Sequence, residues 1–310
     1  MRISIVIPCY NSEDSIEGVV DNIKHTLNTS KRMDYEIVLV NDCSNDNTFE
    51  KIKKIAKANI NILGISLAYN SGQHNAILAG MRYTSGEYIM VCNDDGQTPF
   101  EAIDEMIEQL EQGRDAVCIK YVRRKQRNIF RKIGTKADAL VANWLIEQPR
   151  NIEFSIDFIA KRFVINELIK YNGPYCYMSG LLFRTTKNVG NVMAVQRERK
   201  AGQSGYTLKK LLKLWMNGFT AFSIKPLRIS AKIGSFFCFI GFAITIVLVF
   251  QKIAGLQVDF GWTFLSIIIL VSSGLIMILL GLIGEYVGRI YMCLNSSPQF
   301  VIKETVNIKE

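Results

Sequence analysis

Two stretches toward the C-terminal end contain no charged residue: "IGSFFCFIGFAITIVLVF" at 233–250 and "WTFLSIIILVSSGLIMILLGLI" at 262–283. Crossing a hydrocarbon core takes roughly 18–20 apolar residues, and both runs reach or approach that length. Charge-free runs of this size are rare in soluble domains. The expected reading is two transmembrane helices, with a buried pair of core helices as the alternative. Upstream of about residue 228 the pattern changes to short apolar runs broken by charge. A chain of 310 residues thus divides into one large globular part and a membrane appendage.

Charge sets the expected orientation. Of the formal +9, Lys225, Arg228 and Lys232 cluster beside the first run, while the connection between the runs carries only Lys252 and Asp259. Positive residues stay on the cytoplasmic side, so the expectation is a multi-pass protein of the inner or plasma membrane. Its long N-terminal part and its C-terminus would both be cytoplasmic. Met1 leads directly into "ISIVIP", which does not read as a signal peptide. Seven cysteines (Cys9, Cys43, Cys92, Cys118, Cys176, Cys238, Cys293) are scattered without a CxxC. They read as reduced thiols, not a disulfide framework or a zinc site.

Strand-like and helix-like segments alternate through the first half. "ISIVIPCY", "YEIVLVND", "NILGISLA", "EYIMVCND" and "DAVCIKY" are near-continuous apolar runs. Helical patterns between them cover 13–27, 47–58, the segment "GQHNAILAGMRYT" and 99–112, the last with Pro99 near its first position. Such strands between helices predict a mostly parallel sheet covered on both faces. Ligands bind beyond the carboxyl ends of the strands in sheets of this kind. Polar clusters follow four of the five runs: "PCYNS", "NDCSND", "YNSGQHN" and "NDDGQ". Neither GxGxxG nor GxxxxGK[ST] is present, which argues against a Rossmann dehydrogenase and a P-loop ATPase.

The segments "VIPCYNSEDSI", "VLVNDCSNDNT", "AYNSGQHNAILAGMRYTSGEYIMVCNDDGQTP" and "RKAGQSGY" resemble the family 2 glycosyltransferases of GT-A fold. The chain is most similar to the membrane-anchored polyprenyl-phosphate subgroup, relatives of dolichyl-phosphate mannose synthase and of undecaprenyl-phosphate glucose or aminoarabinose transferases. "SIKPLR" before the first apolar run and "LIGEYVGRIY" after the second extend the resemblance over nearly the whole chain. It implies that Pro8, Tyr10, Asn11 and Asp42 cradle the nucleotide, with Gly72, His74 and Asp94 also at the nucleotide-sugar. Residues 93–97 match the family's Asp-x-Asp-x-Gln, which makes Asn93, Asp95 and Gln97 the implied ligands of Mg2+ or Mn2+. Hard oxygen donors suit either ion. Asn93 stands where the family has its first Asp, and Asn41 likewise replaces an Asp. Asn93 offers a carbonyl oxygen but no charge.

The run "KYVRRKQRNIFRKIGTK" (120–136) holds basic residues and no acidic one. By itself it reads as a solvated face. Nucleic acid is its usual partner elsewhere, but beside two membrane spans an anionic leaflet is the better match. The resemblance places the lipid phosphate at Arg131 and Arg124. It also assigns Arg199 and Ser204, in "RERKAGQSGY", to a loop over the diphosphate, where arginine suits paired phosphate contacts. From Thr207 a leucine and lysine pattern suggests an interfacial amphipathic helix. A base is implied at Asp157, ahead of Phe158 and Arg162, with Glu153 the alternative. A phosphate monoester has a second pKa of about 6, so a lipid phosphate can attack without a base and Asp157 can orient groups instead.

The resulting expectation is an α/β, GT-A cytoplasmic domain at 1–228, two transmembrane helices at 229–284 and a cytoplasmic tail at 285–310. Its catalytic residues would be Asp95 and Asp157, and its expected reaction inverting sugar transfer from a nucleotide-sugar, a UDP-sugar, to polyprenyl phosphate. A polymerising membrane glycan synthase and a non-catalytic lipid-phosphate-binding partner remain open as alternatives. Small residues such as "SSG" in the second run leave room for close helix contact in a homo-oligomer.

Overall fold

Strand β1 (Arg2–Cys9) is buried along almost its whole length, as are β2 (Asp34–Asn41) and β3 (Ile62–Leu67). The computed structural model describes residues 2–30, 34–122, 152–173, 176–195, 197, part of 227–254, 262–295 and 298–308. Burial on both faces explains the unbroken apolar runs, since no side chain of such a strand meets water. The strands β4 (Tyr88–Val91), β5 (Ala116–Tyr121), β6 (Phe158–Lys161), β7 (Val189–Ala194) and β8 (Ile302–Val306) complete one sheet, ordered β7-β5-β6-β4-β1-β2-β3-β8.

β1 runs parallel to both β2 and β4, β2 parallel to β3, and β5 parallel to β7. Two strands break the pattern. β6 is inserted antiparallel between β4 and β5, with Phe158 opposite Val91. β8 adds antiparallel to the outer side of β3, with Val306 opposite Gly64. The expected mostly parallel α/β sheet is therefore present, with two antiparallel members.

Helix α1 (Ile16–Ser30) turns Ile16, Val19, Val20, Ile23 and Leu27 inward, the spacing of a single helical face. α2 (Thr48–Lys57) buries Ile52 and Ala56. α3 (Gln73–Met81) is apolar from Ala76 onward and lies tight on the sheet. A Cβ on Gly80 would sit 2.5 Å from a Val6 methyl and 2.8 Å from a Val40 methyl, so only glycine permits that approach. Pro99 caps a 3-10 turn (Phe100–Ala102), and α4 (Ile103–Glu111) follows with Ile103, Met106, Ile107 and Leu110 buried. Two short helices, α5 (Arg162–Leu168) and α6 (Met178–Thr185), complete this part.

The chain forms two compact units, Met1–Lys210 with Ser297–Glu310, and Leu211–Ser296. Residues 302–306, which fall in the expected tail at 285–310, are a strand of the first unit. The second unit contains α7 (Trp262–Leu294), and Ser272–Leu294 within it is long and apolar enough to cross a membrane, with a mean hydropathy of 1.6. The second apolar run thus falls on α7. The first run, 233–250, lies mostly outside the described residues, and those described in it are helical. One candidate span is described where two were expected.

Candidate active site

Because β1 to β4 are parallel, their carboxyl ends share one edge, and the polar clusters fall there. After β1 the chain turns at Asn11 (φ 53), and after β2 at Cys43 (φ 55). Asn11 accepts from the Asn45 N–H at 3.1 Å and its own N–H donates to Ser44 Oγ at 3.0 Å, which ties the first two turns together. Tyr10 remains 46% exposed beside them. Pro8 lies in β1, opposite Val40.

Asp42 is almost fully buried. Its carboxylate accepts from the Ser71 N–H at 2.7 Å and the Gly72 N–H at 2.9 Å, while its carbonyl accepts from Asn70 Nδ2 at 3.2 Å. Burial pushes the Asp42 carboxyl above its ordinary range, against the two backbone bonds. Asp42 therefore fixes the loop between β3 and α3. Gly72 bends that loop at φ 85, a conformation side chains disfavour. Asn41 is structural: its amide donates to Ser66 Oγ at 3.0 Å and its carbonyl accepts from the Ser44 N–H at 3.2 Å.

The turn after β4 joins several elements. Asp94 accepts from the Tyr10 N–H at 3.2 Å and from Ser12 Oγ, so it anchors the turn to the end of β1. Burial raises the Asp94 carboxyl, Ser12 and Tyr10 oppose that, and the charge of Asp95 adds to it. Gly96 turns the chain at φ 72, and Asp95 Oδ1 accepts from the Gln97 N–H at 3.1 Å. Gln97 donates through Nε2 to the Arg197 carbonyl at 3.3 Å, and the Arg197 N–H returns a bond to the Gln97 carbonyl at 3.2 Å. Arg197 also pairs with Glu101.

Asn93 is less available than expected. Its carbonyl oxygen accepts from Gln73 Nε2 at 2.8 Å, and its amide donates to Asp157 at 3.3 Å. Among the described residues no group of three or more His, Cys, Asp or Glu is placed to hold a metal. The donor set still fits an ion that takes one or two carboxylates and completes its shell with phosphate and water oxygens. Asp95 could hold such an ion, with the Gln97 side-chain oxygen as a second donor. For Asn93 to serve as a ligand, a cation would have to displace Gln73 from its carbonyl oxygen.

Asp157 opens β6, and because β6 is antiparallel its beginning meets the ends of β4 and β5. It is 2% exposed. Tyr121 O–H donates to it at 2.6 Å, Thr98 O–H at 2.8 Å and the Asn93 N–H at 3.2 Å. Burial raises its carboxyl and these donors oppose the rise. The same burial, with the carboxylate beside it, pushes the Tyr121 phenol far up. A carboxylate enclosed by these donors is held in place by Tyr121, Thr98 and Asn93. The alternative, Glu153, lies on the surface 3.9 Å from Lys120.

His74, at the start of α3, packs edge-on against Tyr177 with ring centroids 5.5 Å apart. Burial lowers its pKa from 6.5 to about 4, and among the described residues its Nδ1 has no hydrogen-bond partner. It is a neutral imidazole. Arg124, Arg131, Arg199 and Ser204 lie outside the described residues. Tyr121, Thr98, Gln73 and Ser12 were missed by the sequence reading. For Tyr121 a signal existed: it ends the fifth apolar run, on the edge where the other four clusters were sought.

Residues 4–186 match Glycosyl transferase family 2, and residues 225–290 match the GtrB C-terminal hairpin. An uncharacterized glycosyltransferase of Bacillus subtilis, YkcC, is 32% identical over 313 residues, covering 100% of this chain and 95% of the relative. The undecaprenyl-phosphate 4-deoxy-4-formamido-L-arabinose transferase of Proteus mirabilis is 27% identical over 319 residues, with the same coverage. A crystal structure of glucosyl-3-phosphoglycerate synthase from Mycobacterium tuberculosis, in complex with Mn2+, uridine-diphosphate and phosphoglyceric acid, superposes with a TM-score of 0.50. It is 19% identical, over 69% of this chain and 75% of that one, and shares the fold. With more than half its length matched, the chain is a glycosyltransferase and belongs to glycosyl transferase family 2.

Proposed function

We propose that the protein transfers a sugar from a nucleotide-sugar, a UDP-sugar, to polyprenyl phosphate of the undecaprenyl type, with inversion at the anomeric carbon. The observation that carries this reading is the assembly of Asp42, Asp94, Asp95 and Gln97 on one sheet edge in a chain that continues into an apolar helix. Full-length similarity to undecaprenyl-phosphate transferases supports the lipid acceptor. The manganese and UDP of the M. tuberculosis enzyme support the donor and the ion.

In this reading the loop held by Asp42 and the ring of Tyr10 receive the nucleotide. Asp95 and Gln97 would hold Mg2+ or Mn2+, which would supply positive charge against the leaving diphosphate. A phosphate oxygen of the lipid forms the new bond to the anomeric carbon as the bond to the diphosphate breaks. The lipid phosphate is largely dianionic at neutral pH, its second pKa being about 6. No base is then required, in keeping with an enclosed Asp157. Arg124 and Arg131 take the lipid phosphate, and Arg199 and Ser204 the diphosphate. The hairpin lies in the inner or plasma membrane with the catalytic unit cytoplasmic. Return of residues 302–306 to the sheet supports an even number of crossings.

The test is UDP release by the purified chain with undecaprenyl phosphate, a panel of UDP-sugars, and manganese, magnesium or EDTA. Metal-dependent release that needs both lipid and one sugar supports the reading. Release that never exceeds the lipid-free blank with any donor overturns it.

A further inference from the structure

The segment after α7 is bound into the catalytic unit by a series of specific contacts. Tyr69 O–H donates to the Pro298 carbonyl at 2.9 Å, and the Ala68 N–H donates to the Val301 carbonyl at 2.8 Å. Gln299 Nε2 donates to the Gly173 carbonyl at 2.6 Å, and the Arg82 guanidinium stacks over Phe300, 4.8 Å from the ring centroid. β8 follows, and Asn307 Nδ2 closes the segment on the carbonyls of Ala56 at 2.6 Å, Ile62 at 2.9 Å and Asn59 at 3.2 Å. Contacts this numerous exceed what is needed to cover an edge strand.

Their position gives them a consequence. Ala68 and Tyr69 belong to the loop whose other side is held by Asp42 through Ser71 and Gly72. The loop therefore has two walls, a buried carboxylate and the C-terminal segment. We infer that the C-terminal segment, through Pro298 and Val301, is a positioning element of the donor site that presets the 68–72 loop for the nucleotide. This rests on the reading that the loop receives a nucleotide-sugar. Holding a loop in its bound shape improves affinity by removing the cost of ordering it. Tyr69 acts as a positioning residue, and its effect belongs in donor affinity and not in turnover.

The test uses the full chain carrying Tyr69→Phe, which keeps the ring and removes only the bond to Pro298. Lys303→Ala, an exposed change on β8, serves as control. UDP affinity is measured by calorimetry, steady-state constants with the best donor, and amide exchange over residues 68–72. Expected for Tyr69→Phe are a loss of about three- to tenfold in UDP affinity, the range of one hydrogen bond, and a matching rise in donor KM. The value of kcat and the lipid KM stay within about twofold of wild type, and the Ser71 and Gly72 amides exchange faster. Truncation before Pro298 should exceed this effect, although it also uncovers β3. Wild-type affinity and exchange in Tyr69→Phe overturn the proposal. Absence of any nucleotide binding by the wild-type chain overturns the donor reading itself, and the wild-type arm alone reveals it.

Discussion

Asn93 and Asp157 face each other through two hydrogen bonds, the Asn93 N–H to one carboxylate oxygen at 3.2 Å and its side-chain amide to the other at 3.3 Å. The amide that replaces the family's first aspartate is thus a donor to a buried acid. An aspartate there would set a second carboxylate against Asp157, and like charges at this range disfavour ionisation of both. Asn93→Asp should therefore lower stability by about 1–3 kcal/mol, the cost of a lost donor to a buried acceptor, and should not raise activity. Asp157 already has a raised folded pKa, so protonation favours the folded state. The deficit should be largest at neutral pH and shrink as pH falls through the raised pKa values. Denaturant melts from pH 5 to 8 measure it.

Asp157→Asn separates orientation from base catalysis. If Asp157 only holds Tyr121, Thr98 and Asn93 in place, the variant loses turnover by roughly ten- to a hundredfold without changing the shape of the pH profile. The acidic limb should persist, because it belongs to the lipid phosphate with its second pKa of about 6. Disappearance of that limb from kcat/KM would return Asp157 to the role of base.

Much of this site was legible because the strands that carry it are buried on both faces. A run such as Ile3–Ile7 can be nothing but a central strand, and the polar residues that end it must then lie on one edge. That puts the clusters holding Asp42, Asp94 and Asp95 on one edge, while the role of each is implied only by the family resemblance. The contact between Asn93 and Asp157 could not be read, because it depends on β6 entering the sheet antiparallel, far from β4 in the chain. β8 escaped for a different reason. Its "IKETV" has apolar residues only at its two ends, with the three exposed residues between them all polar, and its partner β3 is fixed only by tertiary contacts.

His74 makes the fold sensitive to acid. Its folded pKa is depressed to about 4 from an ordinary 6.5, so between those values the unfolded chain binds a proton that the folded chain refuses. Stability contributed by neutral His74 is present above 6.5 and lost as pH falls toward about 4, up to about 3 kcal/mol by linkage. His74→Leu should flatten the stability profile across that window, in urea titrations at pH 4.5, 5.5, 6.5 and 7.5. An unchanged slope would assign the acid sensitivity to other groups.

Gly72 and Gly113 offer a matched pair for the donor loop. Both have positive φ, 85 and 109, and a Cβ at either would meet nothing within 4 Å. Alanine at each should therefore cost about 1–3 kcal/mol from backbone strain alone. The two differ in what their backbone holds. Gly72 N–H reaches Asp42, whereas the Gly113 carbonyl accepts from Asn188 at the opposite end of β5. Gly72→Ala should raise the donor KM by roughly tenfold or more while Gly113→Ala leaves it unchanged. Equal KM values in two variants of equal stability would separate the Asp42-held loop from the nucleotide and move the donor to another part of the edge.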